Sequence, residues 1–227
     1  MNLFSLMRQF TIRFRMLGAI AVVLVLLGLL WGAGMFGMFR IYSMSEDFMN
    51  SSFQEVGYMA QLHSEMGAIR QHEKDMIIGY EKPEAVQAAH TQWLESQENA
   101  KKVANQFLQG EEDVDNAVVR DIIKRLDSYK EAFAHVARQL EAGGYDTATI
   151  ANRMSGKAIA EFNEADKLMV ALDDLLRGEV AKSVAEQKSV SEQTKWLFGL
   201  AVLITVVVVV PLTLLNMHSI CKPLDQA

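Results

Sequence analysis

Cysteine is almost missing from this chain: Cys221 stands alone among 227 residues, so no intrachain disulfide can form. Proline is scarce as well, with three in total, and between residues 40 and 195 only Pro83 occurs. Aromatic residues make up just 8%. Proline breaks helices and aromatics favour strands, so their shortage suits long helices and suits sheets poorly. There is no excess of positive charge. The formal net charge is −6, and residues 40–195 carry 18 Lys and Arg against 27 Asp and Glu, a net of −9. A basic footprint for nucleic acid is therefore excluded. His63, His72, His90 and His135 never pair at i,i+4, and neither Cys-x-x-Cys nor paired Glu-x-x-His occurs, which argues against a zinc or di-iron centre. Without a Gly-rich phosphate loop or a nucleophile elbow, an enzyme is not expected, nor is a cofactor.

What the chain has in quantity is uninterrupted hydrophobicity. Met16 to Phe39 is a run of 24 residues without charge, bounded by Arg15 and Arg40, and Trp196 to Met217 is a second of 22. At about 1.5 Å per residue, each can cross a hydrocarbon core of roughly 30 Å. Lipid offers backbone amides no partner, so both runs are expected to be helices. Trp196 fits an interfacial anchor, and Pro211 can kink the second span. A cleaved signal peptide is the alternative for the first run, which exceeds the usual apolar stretch of about 7–15 residues. Arg8, Arg13 and Arg15 precede it with no acid among residues 1–15. That asymmetry places residues 1–15 in the cytoplasm, 16–39 and 196–217 in the membrane, 40–195 outside and 218–227 inside again. Gly28-x-x-x-Gly32 offers a small-residue stripe for close helix packing.

Breakers divide residues 40–195 into four helical stretches, at about 40–80, 84–109, 113–141 and 147–195. Gly79 to Pro83 separates the first two, with Pro83 placed to open the second. Gly110 ends the second, and Glu111, Glu112 and Asp113 supply acids for the next N-terminus. Gly143-Gly144 ends the third, after which Asp146 or Thr147 can cap the fourth. Inside the stretches, apolar positions alternate three and four apart. The first seam reads Val56, Met59, His63, Met66, Arg70, Glu73, Ile77, Tyr80, and the second Val86, Ala89, Trp93, Ser96, Ala100, Val103, Phe107. The third is Val118, Ile122, Leu126, Tyr129, Phe133, Val136, Leu140. The fourth is Met154, Ala158, Phe162, Ala165, Met169, Leu172, Leu176, Val180, Ser183. The predicted fold class is all-α, an antiparallel four-helix bundle flanked by two transmembrane helices. Stretches one and four outlast the other two, and their uncovered apolar faces near the membrane favour a homodimer.

This layout of basic start, span, helical segment, second span and His218-Ser-Ile-Cys-Lys-Pro-Leu-Asp-Gln-Ala227 resembles bacterial methyl-accepting chemotaxis proteins. Ser219, Ile220, Pro223, Leu224 and Ala227 resemble the opening of a HAMP linker. Arg70-Gln-His-Glu73-Lys74-Asp75 resembles an Arg-x-x-Glu-Lys-Asp stretch of four-helix-bundle sensors. The resemblance implies a receptor in the inner membrane that binds an attractant or repellent in the periplasm, directly or through a binding protein. It further implies a displacement of helix four and the second span, which controls a cytoplasmic kinase and adaptor through an output domain that these residues do not include. A sensor histidine kinase or nucleotide cyclase with the same bundle is the alternative.

About ten residues, or roughly 15 Å, inward from the connections farthest from the membrane, four groups come level. They are Arg70 to Lys74, His90 to Trp93, Tyr129 to Arg138 and Arg153 to Lys157. Arg70, Lys74, Thr91, Tyr129, Arg138 and Arg153 are the candidate binding residues, an arginine-rich clamp for a small anionic organic ligand such as a di- or tricarboxylate. No metal ligand is expected among them. The competing reading is structural: Arg70 and Glu73 sit where Met or Leu would be ordinary, and a buried charge needs a partner, so they can simply pair.

Overall fold

The structure, a computed structural model, describes residues 12–109 and 112–224. Most of the basic start, the breaker Gly110 with Glu111, and the close of the HAMP-like pattern at Ala227 lie outside the described residues. Among the described residues the regular elements are all helices, and no strand occurs. They are α1 (Ile12–Asn50), α2 (Ser52–Ile78), α3 (Pro83–Phe107), α4 (Val114–Glu141), α5 (Ala148–Met154) and α6 (Gly156–Leu224).

Local chemistry accounts for most boundaries. Pro83 occupies the first turn of α3, where its missing N–H costs nothing. Asp113 caps α4 by accepting from the amides of Asp115 and Asn116 at 3.0 and 3.2 Å. Thr147 caps α5 through the Ile150 amide at 3.2 Å. Gly143 follows α4 with φ +65°, a left-handed conformation that suits a residue without Cβ. Two interruptions depart from the sequence expectation. The stretch expected at 40–80 is broken at Ser51, whose φ of −116° and ψ of −92° are not helical. The stretch expected at 147–195 is divided at Ser155, although its i,i+4 bonds run on from Ser155 to Ala151 and from Ile159 to Ser155.

Residues 47–183 form one compact unit. Its core draws on α2, α3, α4, α5 and the first part of α6, from Leu62, Ile69, Trp93, Ile122, Leu126, Phe133, Ala151, Met169 and Leu172. The expected seams of α3 and α4 are buried at every position but Val118, which is half-buried beside buried Val119. In the fourth stretch the seam positions from Ala158 to Leu176 are buried as expected, Val180 and Ser183 are half-buried, and Met154, at the end of α5, is exposed. In α2 the seam is displaced by one residue in two places: Leu62 and Ile69 fill the core, His63 is exposed and Arg70 is half-buried.

The described parts of 1–46 and 184–227 form the second unit. Both α1 and α6 contain a window long and apolar enough to cross a membrane, and nothing within those windows is buried. Trp31 and Trp196 are 73% and 78% exposed, and Leu17, Phe36, Leu197 and Leu203 stand exposed beside them. Apolar side chains displayed in such density are compatible with two membrane-spanning helices. Pro211 lies inside α6, which continues to Leu224. Close approach in this unit depends on Gly37, where a Cβ would collide with the methyl group of Thr194. Gly28 and Gly32, the stripe singled out in the sequence, have no side chain within 4 Å of a built Cβ.

Candidate functional site

Glu73, on α2, is a carboxylate with no exposed surface. Left alone, an ionised group there would cost several kcal/mol in lost hydration, so its neighbours must supply the compensation. Arg70, one turn earlier, donates directly to Glu73 Oε2. The Tyr129 hydroxyl on α4 donates to the same oxygen at 2.9 Å. Lys74 Nζ lies 3.3 Å from Glu73 Oε1, outside hydrogen-bond geometry, and donates instead to Asn152 Oδ1 on α5 at 2.7 Å. Oε1 is buried without a hydrogen-bond partner.

The network extends across the layer. Trp93 Nε1 on α3 donates to the Tyr129 oxygen at 2.9 Å, so that hydroxyl accepts one bond and gives another. Tyr129 stacks on Phe133 at 6.1 Å between centroids and meets Phe162 of α6 edge-on at 5.3 Å. The Arg70 guanidinium carbon lies 5.2 Å from the centre of the Phe162 ring, which places positive charge over an aromatic face. At the edge, His90 Nδ1 is 2.6 Å from Glu141 Oε1, and its ring is 5.7 Å from Trp93. Burial and the Glu73 charge push the Tyr129 hydroxyl well above its ordinary range, so it stays a proton donor.

Of the six residues proposed from sequence, the structure brings Arg70, Lys74 and Tyr129 together around Glu73. The other three are exposed and engaged locally or outward. Thr91 Oγ1 donates to the Gln87 carbonyl at 3.0 Å, and Arg138 Nε donates to the Ala134 carbonyl at 3.3 Å. Arg153, in the last turn of α5, is exposed. Chemically, the assembled centre is a neutralised buried carboxylate with one guanidinium a quarter exposed. An anion that reaches that guanidinium competes with Glu73 for it, and the buried Glu73 carboxylate then has Lys74 as its remaining countercharge. Sequence reasoning did not anticipate Asn152 as the partner of Lys74, because nothing in the spacing of 74 and 152 signals it.

No protein-family model, no curated protein and no solved structure matches this chain.

Proposed function

We propose that the chain is the sensory part of a two-pass receptor of a bacterial inner membrane, related in organisation to methyl-accepting chemotaxis proteins. Residues 40–195 form an antiparallel four-helix bundle in the periplasm, paired with a second copy. It binds a small anionic organic ligand, and a displacement of the fourth helix and second span passes to a HAMP linker and from there to a cytoplasmic kinase and its adaptor. The observation that carries this reading is the pair of charge-free runs, Met16 to Phe39 and Trp196 to Met217, set in helices with exposed apolar side chains on either side of an acidic helical unit. The arginines at 8, 13 and 15 support the orientation. The Arg70 guanidinium, a quarter exposed beside the aromatic layer, supports the ligand class. The chain performs no catalysis of its own in this scheme.

A reporter fused after residue 120 tests the topology: it should be active in its exported form and silent in its cytoplasmic form. Calorimetry of the full chain in lipid nanodiscs, against di- and tricarboxylates, tests the ligand. Arg70→Ala, measured where its helical circular dichroism shows it folded, should weaken binding by about 30-fold or more, the consequence of losing one partner of a desolvated charge pair. Glu73→Gln, which frees Arg70 from its internal anion, should tighten it. A neutral or cationic ligand, or equal affinity in wild type and Arg70→Ala, removes the clamp while leaving the receptor organisation standing.

A further inference from the structure

A second buried acid lies in the same compact unit, at Asp115 in the first turn of α4. It is 3% exposed, and its Oδ2 has no hydrogen-bond partner. Its neighbours aggravate the problem. Glu55 of α2 and Glu179 of α6 each bring a carboxylate oxygen to the Asp115 carboxylate, with the three oxygens all within 4.8 Å of one another. Among the described residues, no ion pair reaches any of the three. The helix N-terminus cannot provide full relief, because Asp113 already takes the amides of Asp115 and Asn116.

Three features turn this arrangement from a liability into a receptor for a cation. Ligands on opposite sides of a Ca²⁺ ion, at bonds of about 2.4 Å, are about 4.8 Å apart, and the three oxygens lie within that distance of one another. Glu55 and Glu179 also line a cavity of about 440 Å³, which exposed Ser51 and Gln109 connect to water. Gln106 of α3 lines the same cavity, and its Oε1 is another buried acceptor without a partner. The oxygens thus come from α2, α3, α4 and α6, with room for waters to complete six to eight ligands. Hard oxygen donors and adaptable geometry favour Ca²⁺ over transition metals, and Mg²⁺ is disfavoured because it demands near-ideal octahedral geometry and gives up its waters reluctantly.

The geometry points to a Ca²⁺ site formed by Glu55, Asp115 and Glu179, assisted by the Gln106 amide oxygen, that ties four helices together. It is separate from the Glu73 centre and does not depend on the organic-ligand reading. Protein carboxylates spread over three helices also explain why no local spacing in the sequence marks the site. The cation neutralises Asp115 in the folded state only, so it stabilises that state by mass action.

Tyr58 lines the cavity and can sensitise bound Tb³⁺, which reports occupancy directly. The full chain in nanodiscs, stripped with chelator, should give Tb³⁺ luminescence under tyrosine excitation, displaced by Ca²⁺ at lower concentration than by Mg²⁺. Ca²⁺ should raise the melting temperature. Asp115→Asn and Glu179→Gln should each weaken Ca²⁺ by roughly tenfold or more, since affinity follows ligand charge. Glu179 is half-buried, so its variant keeps the test intact even where Asp115→Asn folds poorly. Tyr58→Phe should dim the luminescence and leave the Ca²⁺-dependent melting shift in place. Absence of a Ca²⁺ effect up to millimolar concentration overturns the site, as does an equal effect in wild type and Glu179→Gln. Preference for Mg²⁺ overturns the choice of ion.

Discussion

Glu73 and Asp115 are carboxylates buried to nearly the same degree in one compact unit, yet they are treated in opposite ways. Glu73 has Arg70 against one oxygen, Lys74 near the other and a tyrosine hydroxyl donating to it. Asp115 has Glu55, Glu179 and Asp113. Burial alone therefore says little about whether a charge is tolerated; the neighbours decide it. The contrast appears in the protonation of Asp115, whose carboxyl is pushed up to about 6 by burial first and then by Glu179 and Asp113. Glu55 is raised for the same reasons, with burial leading and Glu179, Asp113 and Asp115 adding to it. One centre is complete within the chain, and the other calls for a proton or a cation.

The comparison can be broken most forcefully at Arg70. Arg70→Ala leaves Glu73 buried with Lys74 as its only countercharge, and it should destabilise the unit by about 3–5 kcal/mol. Thermal melting followed by fluorescence is a suitable readout, because Trp93 belongs to the same layer. A change under about 1 kcal/mol would mean that Lys74 and Tyr129 suffice for Glu73. The next largest effect belongs to Tyr129→Phe. It removes a donor to Glu73 and an acceptor for the Trp93 N–H while keeping the ring packing, and about 1–3 kcal/mol should be lost. Combining it with Arg70→Ala sharpens the picture: the two losses should be non-additive, since both residues serve one oxygen. The smallest effect is a control. Arg120 makes two bonds to Glu112, at 2.7 and 2.8 Å, but both side chains are exposed. Arg120→Ala should therefore leave the melting curve where it was.

The sequence was informative where a helix is amphipathic and enclosed, and less so elsewhere. The seams of α3 and α4 could be read directly because polar and apolar residues segregate on those helices, and the structure buries them almost position by position. In α2, Met, Leu and Ile are frequent enough that two adjacent registers satisfy three-and-four spacing. The seam read from the sequence runs through His63 and Arg70, whereas the core uses Leu62 and Ile69. The caps Asp113 and Thr147 and the helix start at Pro83 carry local signals and were legible. The break at Ser51 carries none, since no Gly or Pro marks it. The level grouping of Arg70, Trp93 and Tyr129 followed from helical rise and connection positions, whereas the Lys74–Asn152 bond did not. Least legible was the acid cluster. Glu55, Asp115 and Glu179 are separated by about 60 residues at each step, and each reads alone as a solvated surface acid.

Asp115, unlike Glu73, is buried without a countercharge. A carboxyl whose folded-state pKa is raised binds its proton more tightly when folded. Its favourable contribution is complete below the unfolded pKa near 4 and is lost as pH rises through about 6, a swing of up to roughly 3 kcal/mol. Asp115→Asn removes that swing, because the amide carries no charge at either end of the range. The direct measurement is the melting temperature of the full chain and of Asp115→Asn from pH 4.5 to pH 8, in chelator and without divalent cations. Wild type should lose stability relative to the variant mainly between pH 4.5 and pH 6.5 and lie below it at pH 8. Parallel curves across that range, or a variant less stable than wild type at pH 8, would contradict it.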